Sequence, residues 1–282
     1  MSRKVRFKPE RKRYPKKTGF VITFVVVLVC IAVFSMLSIL KENNYDFKAA
    51  LGGEKSSDEV VEEVNTQSEE RRFLFWSKDS KTQALCFLWV VDAKVPAGEY
   101  SVYSPSIDDK VEFDGQYRTL AEIYTTYGES GLRSAVEIMC DIKLDSYIGS
   151  DTESFKQMIN TLGSVTVKLS NPIEYRGNYN LILSSGKNTL KGDQLYKYLC
   201  YTNFISTGAA DMRSEVIIKI LENTINPDNV DRTEKFYANI ANILITDISV
   251  VDYSASSQFI YDMFNAGVQE AKIITEPSGF GK

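Results

Sequence analysis

The stretch "DTESFKQMINTLGSVTVKLS", residues 151–170, contains the signals of a helix followed by a strand. Asp151 is a typical helix N-cap, and Gly163 is typical of the residue that follows a helix. Between them, apolar residues recur at helical spacing. Residues 164–170 then alternate between apolar and polar side chains, which is the pattern of a strand with one buried face. A helix that leads directly into a strand indicates a fold in which helices cover a sheet.

Segments on both sides repeat this alternation of strands and helices. The runs "RFLFWS" (72–77) and "QALCFLWVVDA" (83–93) are rich in aromatic and β-branched residues, which predicts buried strands. The runs "KGDQLYKYLCYTNF" (191–204) and "MRSEVIIKILENTI" (212–225) place apolar residues at helical spacing, which predicts helices. The sequence therefore predicts a single α/β (α+β) domain over residues 71–282, with a central mixed sheet flanked by helices.

The N-terminal part of the chain has the pattern of a membrane anchor. The run "GFVITFVVVLVCIAVFSMLSIL", residues 19–40, contains 22 residues and no charge. As a helix it would be about 33 Å long, enough to cross a hydrocarbon core of about 30 Å. A cleaved signal peptide is the alternative, but such peptides have a shorter apolar core and a small-residue cleavage site. The sequence predicts a retained single-pass transmembrane helix.

Charge sets the predicted orientation of this helix. Residues 1–19 carry nine Lys or Arg and one Glu, whereas the other 263 residues carry 24 basic and 36 acidic side chains. The positive-inside rule predicts a cytoplasmic basic tail over residues 1–18 and an extracellular domain at the cell membrane. Residues 41–70 are polar and acidic, which predicts a flexible stalk. The acidic body argues against nucleic acid as a partner and leaves the membrane as the expected one.

The composition excludes several classes of catalytic site. The chain has no histidine, so Ser-His-Asp and Cys-His nucleophilic sites and His-ligated zinc are ruled out. Its four cysteines, Cys30, Cys86, Cys140 and Cys200, form no Cys-x-x-Cys pair. A zinc or redox motif of that kind is therefore not indicated. We expect the three cysteines after the anchor to be buried free thiols.

Three segments of the predicted outer domain resemble a known family when they are taken in order. They are "FKQMINTLGSVTVKL" (155–169), "LSSGKNTLKGDQLYKYL" (183–199) and "DMRSEVIIKIL" (211–221). Together with the single N-terminal anchor, they resemble the LytR-CpsA-Psr family of Gram-positive envelope proteins. The family's Gly-x-x-x-Leu-x-Gly turn is matched by Gly186, Leu190 and Gly192. No single motif is diagnostic, and the order and spacing carry the resemblance.

The resemblance implies a function in cell-wall assembly. Members of that family move glycopolymers from a polyprenyl-pyrophosphate carrier onto peptidoglycan. Their site holds the pyrophosphate against several arginines and holds magnesium through aspartates, because bidentate guanidinium groups and a hard cation stabilise charge on phosphate oxygens. The polyprenyl chain needs an apolar tunnel, which a sheet lined with aromatic residues can provide.

This chain departs from the family at most of the implied site positions. Ala84 replaces a metal-binding aspartate, Ser106 replaces an arginine after Pro105, Asp108 only partly supplies the acid of that turn, Cys200 and Thr202 replace an Arg-x-Arg pair, and Ala210 replaces a further arginine. Of the family's Asp-x-x-Arg-x-x-Arg-Gln motif, only Asp211 and Arg213 remain, and they are the candidate ligand-binding residues. No catalytic residue and no metal ligand is assigned. No cofactor is expected, except magnesium if the protein is active.

Three functions remain open at this point. The first is a non-catalytic envelope protein that binds a polyprenyl-(pyro)phosphate-linked glycan or a wall-assembly partner. The second is an active phosphotransferase that attaches a glycopolymer to peptidoglycan, with Arg118, Arg133 or Lys197 compensating for lost arginines. The third is a regulatory or structural envelope protein with no small ligand. In a purely structural interpretation, Asp211 caps a helix and Arg213 lies in solvent.

Overall fold

The computed structural model describes residues 69–235, 237 and 242–280. Its main sheet has six strands in the order β11–β6–β1–β2–β3–β12. Their bounds are β1 Glu69–Lys78, β2 Leu85–Val95, β3 Glu99–Tyr103, β6 Ser146–Asp151, β11 Ile245–Thr246 and β12 Glu270–Ile274. Strands β1, β2 and β3 pair antiparallel, whereas β6 is parallel to β1 and β12 is parallel to β3. The predicted central mixed sheet is confirmed.

Six further strands form three separate two-stranded sheets. These pair β4 (Lys110–Phe113) with β5 (Gln116–Thr119), β7 (Val165–Leu169) with β10 (Gly186–Leu190), and β8 (Ile173–Arg176) with β9 (Asn180–Leu183). The strand predicted from residues 164–170 is therefore β7, and it lies outside the main sheet. Its strict alternation of buried and exposed residues fits this position, because only one of its faces is covered.

Helices cover both faces of the main sheet. Their bounds are α1 Leu120–Cys140, α2 Thr152–Leu162, α3 Gly192–Tyr201, α4 Ala209–Thr224, α5 Val250–Ala255 and α6 Ser257–Ala266. Because side chains alternate along a strand, Phe87 and Trp89 of β2 pack on one side with α2, α3 and α4. Leu88 and Val90 pack on the other side with α1. The predicted covering of the sheet by helices is confirmed.

Helix α2 begins and ends where its sequence indicates. The Asp151 carboxylate accepts hydrogen bonds from the backbone N–H groups of Glu153 and Ser154, and the Ser154 side chain closes the capping box. Gly163 follows the last helical residue. The Cβ of any larger residue at Gly192 would lie 2.5 Å from the Lys156 carbonyl oxygen, so the glycine allows α2 and α3 to approach closely.

The predicted N-terminal elements fall almost wholly outside the described residues. The basic tail over residues 1–18, the transmembrane helix over residues 19–40 and the stalk as far as residue 68 lie there. Strand β1 starts at Glu69, two residues before the predicted start of the domain. Within the part of the chain that the structure describes, none of the helices is both long enough and apolar enough to cross a bilayer.

Candidate functional site

Arg213 lies in α4 and is buried, with only 2% of its surface exposed. Its Nε donates to Ser104 Oγ at 2.8 Å and its Nη1 donates to Thr202 Oγ1 at 3.0 Å. Its Nη2 donates to the carbonyl oxygens of Ser104 at 3.3 Å and Pro105 at 3.2 Å. A guanidinium group has five N–H donors, so these contacts use most of its capacity. Arg213 thereby joins the end of β3 to the turn that follows α3.

The charge of Arg213 has no close counterion. Among the described residues, no carboxylate oxygen lies within 4.0 Å of its guanidinium nitrogens. Burial lowers the pKa of Arg213, and the more distant charge of Asp109 opposes that shift. The Asp109 carboxylate itself accepts a hydrogen bond from the Ser106 backbone N–H at 2.8 Å. The local structure therefore satisfies the hydrogen bonds of Arg213 but neutralises its charge only from a distance.

Asp211 is separated from this cluster. It is exposed in the first turn of α4, and the N-cap of that helix is Gly208, whose φ is 77°. In the described structure its carboxylate does not pair with the Arg213 guanidinium. The purely structural interpretation, in which Asp211 caps the helix and Arg213 lies in solvent, is wrong for both residues. Burial of Arg213 could not be predicted locally, because its partners at Ser104 and Pro105 lie over a hundred positions away in the chain.

The structure places the altered family positions Cys200 and Thr202 at the end of α3, where Thr202 contacts Arg213. Thr202 and Pro105 both contact Arg213, and Cys200 lies on α3 just before Thr202. Ala84 is exposed directly before β2. A thiol and a hydroxyl group therefore stand at two positions where the family resemblance implies arginines.

The other basic residues considered as substitutes contact partners elsewhere. Arg133 pairs with Asp247 at 2.8 Å, and Lys197 pairs with Asp193 at 2.7 Å. Arg118 donates to Gln116 at 2.7 Å. Since none of these side chains is among the hydrogen-bond partners around Arg213, they do not rebuild the arginine cluster.

The residues at the implied magnesium position do not fit that ion. Magnesium prefers carboxylate oxygens in near-octahedral geometry, and Ala84 offers no donor. Asp108 is exposed, while Asp109 is engaged by the Ser106 backbone. Within the described residues, no group of three or more Asp, Glu, Cys or His side chains is arranged to hold a metal ion.

A large apolar cavity lies on the same side of the sheet as Arg213. Its volume is about 750 Å³, within the range of about 300–1,000 Å³ that is usual for ligand sites. Strands β1, β2 and β3 supply the floor, with Phe73, Phe75, Trp89, Val91, Ala93 and Tyr100. Helices α2, α4 and α6 supply the walls, including Met158, Leu162, Ile217, Ile220, Phe259 and Met263. This lining suits an apolar chain.

Trp89 connects the cavity to the Arg213 cluster. Its ring lines the cavity, and its Nε1 donates to the Arg213 carbonyl oxygen at 2.9 Å. Neither Arg213 nor Asp211 lines the cavity itself. The cavity and the hydrogen-bond cluster around Arg213 are therefore adjacent but separate. Trp89 lies within a strand that the sequence predicted, but nothing in the sequence distinguished its ring from core packing.

The charged residues that line the cavity are mainly acidic. They include Glu69, Glu70, Asp145, Asp247 and Asp252. The cation among these lining residues is Arg71, which pairs with Glu69 at 2.5 Å, donates to Ser256 Oγ at 2.7 Å and lies 4.4 Å from the centre of the Phe259 ring. A pyrophosphate brought to these charged residues would meet more carboxylates than guanidinium groups, which is unfavourable for binding an anion.

Comparison with known proteins gives consistent results. The model of the LytR_cpsA_psr family matches residues 54–276. The match to Biofilm regulatory protein A of Streptococcus mutans is 25% identical over 141 residues and covers 46% of this chain and 35% of that protein. The chain thus spans about a third of the length of this curated relative.

Three solved structures are similar in fold. TagV of B. subtilis is 19% identical with a TM-score of 0.59, covering 73% of this chain and 85% of that chain. Protein gbs0355 of Streptococcus agalactiae is 16% identical with a TM-score of 0.61, covering 73% and 77%. TagT bound to LI-WTA is 16% identical with a TM-score of 0.54, covering 73% and 78%. At these identities the likeness concerns the fold alone.

Proposed function

This chain belongs to the LytR-CpsA-Psr family, and from that premise we propose that it binds a polyprenyl-(pyro)phosphate-linked glycan at the cell envelope without transferring it. The family's glycopolymer ligases supply the substrate class. The solved complex of TagT with LI-WTA, a structure with the same fold, supports a ligand of this kind.

The observation that carries the proposal is the apolar cavity over the main sheet. A volume of about 750 Å³ lined by aromatic and aliphatic side chains accommodates a long hydrocarbon chain. Burial of such a chain is favourable by roughly 25 cal/mol for each Å² of apolar surface removed from water. Binding of the carrier through its lipid part therefore does not require a phosphate site.

The surroundings of Arg213 support binding without catalysis. Transfer of a phosphoryl-linked glycan needs cationic groups that face the developing charge. The Arg213 guanidinium instead faces Ser104, Pro105 and Thr202. Truncating one buried charged partner typically costs about 2–5 kcal/mol, so the absence of four family arginines would remove most of the electrostatic stabilisation of a transition state.

The proposed location follows from the N-terminal sequence. The apolar run over residues 19–40 would anchor the chain in the cell membrane, with the basic tail in the cytoplasm and the domain outside. This arrangement would bring the cavity close to lipid-linked glycan and peptidoglycan, which are the proposed partners together with the membrane.

Intrinsic fluorescence tests carrier binding directly, because the chain has two tryptophans. Trp89 lines the cavity, whereas Trp76 packs in the core on the opposite face of the sheet. The purified full-length chain is titrated with a polyprenyl pyrophosphate, and Trp89→Phe identifies which tryptophan responds. Ala93→Phe narrows the cavity, and Ile138→Phe is the matched control at a residue 54% exposed on α1.

We expect saturable binding in the unmodified chain and in Ile138→Phe, and at least about tenfold weaker binding in Ala93→Phe. Phosphate release that requires Arg213 would favour the active phosphotransferase. Absence of binding to the polyprenyl pyrophosphate would favour the regulatory or structural protein.

A further inference from the structure

Two cysteines from different elements meet beside the Arg213 cluster. Cys86 lies at the start of β2 and Cys200 lies in the last turn of α3. Cys86 Sγ lies 3.2 Å from the Tyr196 hydroxyl, and Cys200 lies one helical turn after Tyr196, on the same face of α3. Cys140, by contrast, packs in the core on the other side of the sheet. The chain therefore contains one close thiol pair and one isolated buried thiol within the described residues.

A β-bulge places Cys86 against α3. The pairing of β1 with β2 shifts between Ser77 and Lys78, which face Phe87 and Leu85, so Cys86 has no partner across the strand pair. A bulge of this kind re-aims a side chain, and both Cys86 and Phe87 pack into the layer that contains Cys200. The Asn203 side chain donates to the Cys86 carbonyl oxygen at 2.6 Å and ties the end of α3 to the bulge. The backbone at Cys86 is thus held against the end of α3.

The two thiols differ in access and acidity. Cys86 is half-buried, whereas Cys200 is buried. The hydrogen bond from Cys200 lowers the pKa of Cys86, and the same contact raises the pKa of Cys200. A thiolate at an accessible position is the species that attacks disulfides, so Cys86 is the one suited to react first.

We propose that Cys86 and Cys200 are a redox-active dithiol that closes to a disulfide by exchange with an external disulfide. The Cys86 thiolate attacks one sulfur of that disulfide, forms a mixed disulfide and releases the first external thiolate. Cys200 then gives its proton to the released external thiolate and attacks the Cys86 sulfur, and the second external thiolate leaves and takes up a proton from water. The two protein thiols are oxidised, the external disulfide is reduced to two thiols, and two electrons are transferred.

The cross-link would join the start of β2 to the end of α3, two residues before Thr202, a hydrogen-bond partner of Arg213. It would close a loop of roughly 110 residues, which restricts the unfolded chain and stabilises the folded one. This proposal does not depend on glycan binding.

The test uses the full-length chain with Cys30→Ser, so that Cys86, Cys140 and Cys200 are the only thiols that can react. The reduced protein is incubated with oxidised glutathione, free thiols are alkylated, and peptides are mapped by mass spectrometry. Cys140→Ser is the matched control, since it leaves the pair intact. Cys86→Ser and Cys200→Ala each remove one partner.

We expect a peptide pair linked through Cys86 and Cys200, both in the starting protein and in Cys140→Ser. Oxidation should raise the melting temperature of these two proteins by roughly 5–10 °C and leave that of Cys86→Ser and Cys200→Ala unchanged. A stable glutathione adduct on Cys86 with Cys200 still free would overturn the proposal. So would alkylation of both thiols in the folded protein after exposure to oxidised glutathione. The peptide map of the starting protein shows whether Cys86 and Cys200 are linked, even if a variant fails to fold.

Discussion

Replacing Arg213 by methionine should destabilise the domain, because this arginine supports the packing around it. The substitution keeps an unbranched apolar stem but removes donors to Ser104 Oγ, Thr202 Oγ1 and the Ser104 and Pro105 carbonyl oxygens. The two hydroxyl groups keep their own hydrogen bonds to the Leu88 and Leu199 carbonyl oxygens, whereas the Ser104 and Pro105 carbonyl oxygens lose the donor that Arg213 supplies. A buried acceptor left without a donor costs about 1–3 kcal/mol.

The expected loss is about 3 kcal/mol after allowing for water that enters the vacated space. For a domain of this size, each kcal/mol shifts the melting temperature by about 2–4 °C, so a fall of about 6–12 °C is expected. Urea unfolding of the full-length chain measures the free energy, and calorimetry measures the temperature. Asp211→Ala is the matched control on the same helix, and as an exposed change it should stay within about 0.5 kcal/mol.

A ligand-binding role for Arg213 would give the opposite pattern. If Arg213→Met leaves the free energy of unfolding unchanged but abolishes binding of a polyprenyl pyrophosphate, Arg213 is a ligand residue rather than a packing one. Arg213→Lys adds a second measurement, because lysine keeps the charge but cannot reproduce the planar contacts. We expect it to be nearly as unstable as the methionine variant.

Three further changes test other parts of the structure by urea unfolding. Gly192→Ala should lower the free energy of unfolding by about 1–3 kcal/mol, because the new Cβ would lie 2.5 Å from the Lys156 carbonyl oxygen. An unchanged stability would contradict the close approach of α2 and α3. Asp151→Ala should cost about 1 kcal/mol through loss of the helix cap, and a neutral effect would contradict that role. Burial raises the pKa of Asp92 from 3.8 to about 6 in the folded protein, so the folded state holds this proton more tightly and stability should fall as pH rises from about 4 to 6. Asp92→Asn should remove that fall, whereas Asp108→Asn, at an exposed position, should retain it.

Local patterns predicted the elements that depend on neighbours in the chain. Helix α2 follows from Asp151, the apolar spacing and Gly163, because each signal acts within a few residues. The strands β1 and β2 follow from continuous apolar runs, since both faces of the main sheet are covered.

Features that depend on distant parts of the chain could not be predicted in this way. The burial of Arg213 requires β3, α3 and α4 to meet, and the cavity requires α6 to stand off from the sheet that supplies Trp89. The pairing of β7 with β10, outside the main sheet, likewise depends on the whole fold. The resemblance to the family indicated which residues are missing from the site, but not what the remaining arginine contacts.

Binding of a lipid-linked glycan without its transfer can be measured in one experiment. The direct measurement incubates the full-length chain with a polyprenyl-pyrophosphate-linked glycan, magnesium and peptidoglycan, and quantifies bound carrier and transferred glycan in the same sample. We predict saturable binding that weakens in Ala93→Phe, with glycan transfer no greater than in the absence of protein. Transfer to peptidoglycan that is retained in Asp211→Ala and lost in a folded Arg213→Lys protein would instead identify an active glycopolymer transferase.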